Sequence, residues 1–223
     1  MNRGALHIVT AACAVIALSG CAKHPISVTP LEADDSADDL ASYERLTDEE
    51  RGAFTPVAFD EALKLFDEGG TGMIGYSADW CPYCQRALPV LADVALDEDT
   101  PVYYVSFTDG SVTQDQIDTL CRNLDWIEFV TGDDGAEHAA SFQIPEVIAV
   151  KDGKAVAHHL SLFDDLSITS SDFELSAEQK DALKQIYADM FDALRDGSES
   201  AENTSATSAS AEAEACGSTE TGC

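Results

Sequence analysis

The stretch Asp79-Trp80-Cys81-Pro82-Tyr83-Cys84-Gln85-Arg86 decides the reading of this chain, because its flanks fix what two cysteines at this spacing can do. Upstream, Gly72-Met73-Ile74-Gly75-Tyr76-Ser77 is a short apolar run bounded by glycine, the pattern of a buried strand. Downstream, Ala87, Leu88, Leu91, Val94 and Ala95 recur at helical spacing. Cys81 therefore falls at a strand-to-helix junction, where unpaired N–H groups and the helix dipole favour a thiolate. Such a placement lowers a cysteine pKa and makes its sulfur a nucleophile near neutral pH.

The flanking elements repeat that alternation. Ala53 to Val57 predicts a strand, held to an edge by Pro56. Phe59, Ala62, Leu63 and Phe66 predict an amphipathic helix, with Asp60 and Glu61 in its first turn and Gly69-Gly70 ending it. A second helix carries the cysteines, and Pro89 inside it predicts a kink. Val102 to Phe107 is rich in β-formers, and Ile117, Leu120, Cys121 and Leu124 mark one face of a third helix. Ala136 to Phe142 reads as a short helix. Asp152-Gly153 predicts a hairpin between Val147–Val150 and Ala155–Leu160. Ser176-x-x-Gln179 caps a final helix bearing Leu183, Ile186, Tyr187, Met190, Phe191 and Leu194. Strand and helix alternation of this kind predicts an α/β domain with helices on both faces of a central sheet.

Trp80-Cys81-Pro82-Tyr83-Cys84, Pro89 and Ile144-Pro145 together resemble the thioredoxin superfamily over about two-thirds of the chain. The resemblance implies a thioredoxin-like fold, with a central mixed sheet of four to five strands. It implies that Cys81 attacks a disulfide and Cys84 resolves the mixed disulfide, with Trp80, Pro82 and Tyr83 as context. It also implies that Pro145 is cis and that Ile144-Pro145 presents backbone to an extended substrate. Ser161 to Phe173 departs from the shorter connection of that family and reads as an inserted loop. A further departure lies six residues before Cys81, where thioredoxins carry a buried Asp and this chain has Gly75. Met73-Ile74-Gly75 running into Cys-Pro-Tyr-Cys is similar to bacteriocin transport accessory proteins.

Before that domain, Arg3 and the apolar run Ala5–Leu18 form a signal too short to span a membrane stably. Leu18-Ser19-Gly20-Cys21 resembles a lipoprotein signal, which implies lipid on Cys21 and a position outside the cytoplasmic membrane, where disulfides persist. The expected organisation is a signal peptide over 1–20, a disordered acidic tether over 21–42 and a domain over 43–196. Residues 197–223 read as a disordered tail. A net charge of −30 excludes binding to nucleic acid by phosphate neutralisation and keeps the domain soluble.

Of the seven cysteines, Cys121 shares the apolar face of its helix and reads as an inert thiol. Cys216 and Cys223 form either a local disulfide or a second dithiol exchanging with Cys81 and Cys84. About twenty flexible residues precede Cys216, an r.m.s. reach of ~25 Å. A zinc site made of these two and Cys81/Cys84 has poor spacing and a proline inside its first pair, so no metal and no cofactor beyond the Cys81–Cys84 disulfide is expected. His24, His138, His158 and His159 fall in no recognisable catalytic motif, and His158 and His159 alternate across a strand. The expected partners are exported protein thiols or disulfides and a redox-recycling protein, with the chain a monomer. Two function classes follow: a tethered thiol–disulfide oxidoreductase, or a docking module of a secretion system.

Overall fold

A computed structural model describes residues 23–34, 40–164 and 166–195. The expectations placed on the signal peptide over 1–20, on Cys21, and on the tail over 197–223 with Cys216 and Cys223 lie outside them. A five-stranded sheet has the order β1-β3-β2-β6-β7, from β1 (Phe54–Pro56), β2 (Gly72–Ser77), β3 (Val102–Ser106), β6 (Glu146–Lys151) and β7 (Lys154–Leu160). The first three are parallel, while β6 and β7 run antiparallel. Pro56 does sit on an edge strand, which needs no donor from it.

Strand alternation divides the core into two clusters. Met73, Val102, Tyr104, Val147 and Ala149 face one side, packed with residues of α3 (Cys84–Asp97) and α5 (Ala177–Leu194). Ile74, Tyr76, Tyr103, Val105, Ile148 and Val150 face the other, packed with residues of α2 (Phe59–Asp67) and α4 (Gln114–Cys121). Strands buried on both faces explain why β2 reads as an unbroken apolar run rather than an alternation. Parallel β1, β3 and β2, continued by an antiparallel hairpin and flanked by helices on both faces, make the thioredoxin fold.

Local signals fix the element ends. Thr47, Thr113 and Ser176 each form a reciprocal capping box, at α1 (Asp48–Arg51), α4 and α5. At the β6–β7 turn Asp152 and Gly153 both have positive φ, 49° and 77°. A Cβ at Gly153 would lie 2.9 Å from the Phe66 carbonyl oxygen, so only glycine fits there. The α3 helix continues through Pro89.

Three segments differ from expectation. Residues 137–139 form a strand, β5 (Glu137–Ala139), paired with β4 (Phe129–Thr131), instead of a helix. Asp118 explains the change: it accepts the Ala139 N–H at 2.8 Å and holds His138, tying the hairpin to α4. Residues 23–34, read as a structureless tether, lie extended along the domain. Thr29 N–H donates to the Thr71 carbonyl at 2.8 Å, and the Tyr103 hydroxyl donates to Thr29 O at 2.5 Å. Ile26, Val28 and Leu31 pack on the two cores, an apolar gain that outweighs the polar composition around them. Leu40, also placed in the tether, is buried within a short 3-10 turn over Leu40–Ser42. Lys23 pairs with Glu98 and Arg195 donates to His24 O, so this strap ends where α3 and α5 end.

The described residues of the Ser161–Phe173 segment form no regular helix or strand. The segment is nevertheless anchored. Buried Arg86 on α3 donates to the carbonyls of Ser171 and Phe173, and Leu162 joins the core.

Candidate active site

Cys81 ends the turn that follows β2. Its carbonyl accepts the first helical hydrogen bond, from Gln85 N–H at 3.1 Å. Its Sγ accepts the Cys84 N–H at 3.2 Å, so the sulfur occupies the place an N-cap oxygen ordinarily takes. The position inferred from the sequence is therefore the one the backbone adopts. From the far side, the Ile144 carbonyl lies 3.6 Å from the same sulfur. The Ile144–Pro145 bond is cis, as the resemblance implied. Chain positions sixty-three residues apart thus meet at one atom.

The two thiols are unequal. The Cys84 side chain hydrogen-bonds Cys81, and with the N–H groups of Cys84 and Tyr83 it outweighs burial and brings the Cys81 thiol down to about 7. Cys84 is wholly buried, and burial, reinforced by its donation to Cys81, pushes its own thiol far above the ordinary range. One sulfur is prepared as a thiolate and the other holds its proton. Among the described residues no carboxylate shifts either thiol; the side chains that shift Cys84 are Cys81 and Ser77.

The neighbouring residues divide by role. Trp80 stands 64% exposed beside the pair, presenting an apolar surface at the mouth of the site. Tyr83 turns towards the 161–173 segment, its hydroxyl 3.4 Å from Leu166 O and 3.3 Å from Ile168 N. Pro82 lies in the turn entering α3, and its carbonyl accepts from Arg86 Nη1 at 3.0 Å. Gly75 is on the cysteine-side face of β2, where an added Cβ would meet Val102 and Leu91 at ordinary distances of 3.6 and 3.7 Å.

Sequence reasoning missed Ser77 and Tyr43. Ser77, two residues beyond Gly75 on the same strand face, is the side chain whose hydroxyl favours the Cys84 thiolate against the burial that opposes it. Its hydroxyl lies 2.8 Å from that of Tyr43, which lies 3.2 Å from that of Tyr104. The i, i+2 spacing from Gly75 to Ser77 was visible in the strand. Tyr43 joins from outside the sheet and left no such signal.

Other expected side chains stay apart from this site. Cys121 is buried on the opposite face, where burial pushes its thiol up to about 11. His158 and His159 do point to opposite faces. His158 meets the buried Glu146 carboxylate at 2.8 Å and stacks on Trp126, while His159 packs edge-on against Tyr187. His138 bridges Asp118 and Asp134.

No protein-family model and no curated protein matches this chain. Among solved structures it is similar to one described as a candidate oxidoreductase with a thioredoxin fold. That match has 12% identity over 52% of this chain and 88% of the other, at a TM-score of 0.38. A second is the J-Trx1 fragment of ERdj5, with 13% identity over 65% of this chain and a TM-score of 0.36. The chain spans about half of that fragment, 51%. The fold itself is defined by the strand order and directions above, and the site by a cysteine pair at the start of α3 facing a cis proline.

Proposed function

We propose that this protein is a thiol–disulfide oxidoreductase in which Cys81 is the nucleophile and Cys84 the resolving thiol. One observation carries the reading: Cys81 Sγ, at the helix start, accepts the Cys84 N–H and lies beside the Ile144 carbonyl, with its thiol brought to about 7. The Cys81 thiolate attacks a substrate disulfide, forms a mixed disulfide and expels the first substrate thiolate. Cys84 then loses its proton and attacks Cys81 Sγ. The Cys81–Cys84 bond forms and the second substrate thiol leaves, so two electrons pass to the substrate. A dithiol reductant restores the pair; run in reverse, the same steps oxidise a substrate dithiol. No other cofactor enters the scheme.

The substrates in this reading are thiols and disulfides of exported proteins, met by a monomer tethered outside the cytoplasmic membrane through lipid on Cys21. Among the described residues no helix is long and apolar enough to cross a membrane. A lipid there would place the strap over 23–34, with the C-terminal ends of α3 and α5, towards the bilayer. Fourteen residues of α3 at ~1.5 Å each then set Cys84 roughly 20 Å farther out.

Exposed Trp80 favours a second reading, a docking surface for a secretion system, which the similarity to bacteriocin transport accessory proteins also implies. Insulin reduction and trapping with Cys84→Ser separate the two. The oxidoreductase turns over, and the variant accumulates mixed disulfides on Cys81. Peptide mapping of those adducts also reports any formed with Cys216 or Cys223. No turnover together with an unreactive Cys81 rejects the enzyme in favour of docking.

A further inference from the structure

Resolution asks Cys84 to become a thiolate, and among the described residues no carboxylate shifts it; Glu146, paired with His158, acts on Tyr187 instead. The groups facing it come from several elements: Cys81 from the turn, Ser77 from β2, Tyr43 from the segment before α1 and Tyr187 from α5. Tyr104 of β3 joins through Tyr43, and His159 of β7 stands behind Tyr187. All but the histidine carry hydroxyls or thiols. Tyr43 and Tyr187 are buried, and desolvation raises both phenols well beyond their ordinary range, so both keep their protons; the Tyr43 hydroxyl is hydrogen-bonded to Ser77 and Tyr104, whereas the Tyr187 hydroxyl has no hydrogen-bond partner among the described residues.

Resting on the oxidoreductase reading, we infer that Ser77 is the positioning residue that steadies the Cys84 thiolate during resolution, with Tyr43 and Tyr104 aligned behind it. A thiolate only accepts, and a serine hydroxyl has one hydrogen. Once Cys84 is charged, the Ser77 hydrogen points at its sulfur. Tyr43 then donates to Ser77 Oγ over 2.8 Å, and Tyr104 donates to Tyr43 over 3.2 Å. Every hydroxyl in the row has one direction, and each polarises the next. The proton that Cys84 gives up is taken by the departing substrate thiolate, so no base inside the protein is required. The carboxylate that thioredoxins place at the Gly75 position is thus replaced by a donor two residues along the same strand face. A donor lowers the energy of the thiolate directly, whereas a carboxylate repels it.

The test uses the full chain carrying Cys81 and Cys84 as its only cysteines, with the chromogenic disulfide dithiobis(nitrobenzoate) as probe. Cys81 releases one thionitrobenzoate on attack, and Cys84 releases the second on resolution, its proton passing to buffer. Two phases in the parent confirm the exchange reading; a single phase, or none, overturns that reading and the role of Ser77 with it. With both phases present, Ser77→Ala is expected to slow the second about tenfold at neutral pH, as loss of a hydrogen bond to a charged group implies. The midpoint of its pH profile rises while the first phase keeps its rate. Ser77→Thr restores the second phase. Tyr43→Phe, which keeps the ring, slows it about threefold and serves as the test should Ser77→Ala fail to fold. An unchanged second phase and pH midpoint in whichever variant folds overturns the role of Ser77. A Ser77→Thr variant as slow as Ser77→Ala does the same.

Discussion

The two faces of the sheet handle polar groups in opposite ways. On the face covered by α2 and α4, buried carboxylates are each paired with a histidine: Glu146 with His158 and Asp118 with His138. On the face covered by α3 and α5, the cysteine pair lies among the hydroxyls of Ser77 and Tyr43, and among the described residues no carboxylate shifts either thiol. The difference separates two kinds of pH dependence. Protons that matter to the fold are bound on one face, and those that matter to the thiols on the other.

Placing a carboxylate on the wrong face is the strongest way to break this division. Gly75→Asp fits its Cβ against Val102 and Leu91, but its carboxylate is buried among Met73, Tyr104 and the cysteines without a cation. An uncompensated buried charge costs about 3 kcal/mol. Desolvation raises this carboxyl above its unfolded value, so the native state binds the extra proton. Stability should therefore fall as pH rises from about 4 towards the raised value. Denaturant titrations at several pH values check this; a loss that does not vary with pH would mean the side chain reaches solvent.

The paired face is expected to yield next. Asp118 accepts from Ala139 N–H, the Gln114 amide and His138, and Asp118→Ala leaves the half-buried Ala139 N–H and the β4–β5 hairpin without that anchor. The cost should be about 2 kcal/mol in urea unfolding. Burial tends to raise the Asp118 carboxyl, but those three donors hold it below its usual value. Its stabilisation is complete above an unfolded pKa of about 3.9 and is lost as pH falls through the folded value. His138 is raised by Asp118 and Asp134, so its contribution is complete below about 6.5 and is lost as pH rises through its folded value. Asp118→Ala should flatten both limbs while leaving Cys81 reactivity unchanged. A slowed Cys81 would mean the faces are coupled.

Cys81 supplies the converse measurement. Its alkylation by iodoacetamide should follow a thiolate with a midpoint at about 7, where an ordinary cysteine sits near 8.5. Because the shift comes from Cys84 and from backbone N–H groups, Glu146→Gln should not move that midpoint. A midpoint that follows Glu146 would place the paired face in the thiol chemistry.

The two faces also differ in how far the sequence disclosed them. The strand before Cys81, the capped helices, the β6–β7 turn and the meeting of Ile144-Pro145 with the pair were legible, since each rests on local pattern or on a short motif. What stayed hidden depends on side chains from distant segments. The β4–β5 hairpin is decided by Asp118, a polar residue on a helix that looked merely apolar on one side. Tyr43 reached Ser77 from a stretch that carries no period. The strap over 23–34 is the same lesson, because Ile26, Val28 and Leu31 bury only against surfaces that the rest of the fold provides.

The segment over 161–173 crosses the thiol end of the molecule and gives the smallest predicted effect. Tyr83 stands between the cysteines, yet its hydroxyl is used on this segment, at 3.3 Å from Ile168 N and 3.4 Å from Leu166 O. Contacts that long are weak, and Arg86 also holds the segment through Ser171 and Phe173. Tyr83→Phe should therefore cost about 0.5 kcal/mol globally. The amide of Ile168 loses its acceptor and should exchange hydrogen severalfold faster, while amides in β2 keep their rates. Were Ile168 unaffected, Arg86 and the buried Leu162 would suffice to hold the segment, and Tyr83 would be free to meet substrate instead.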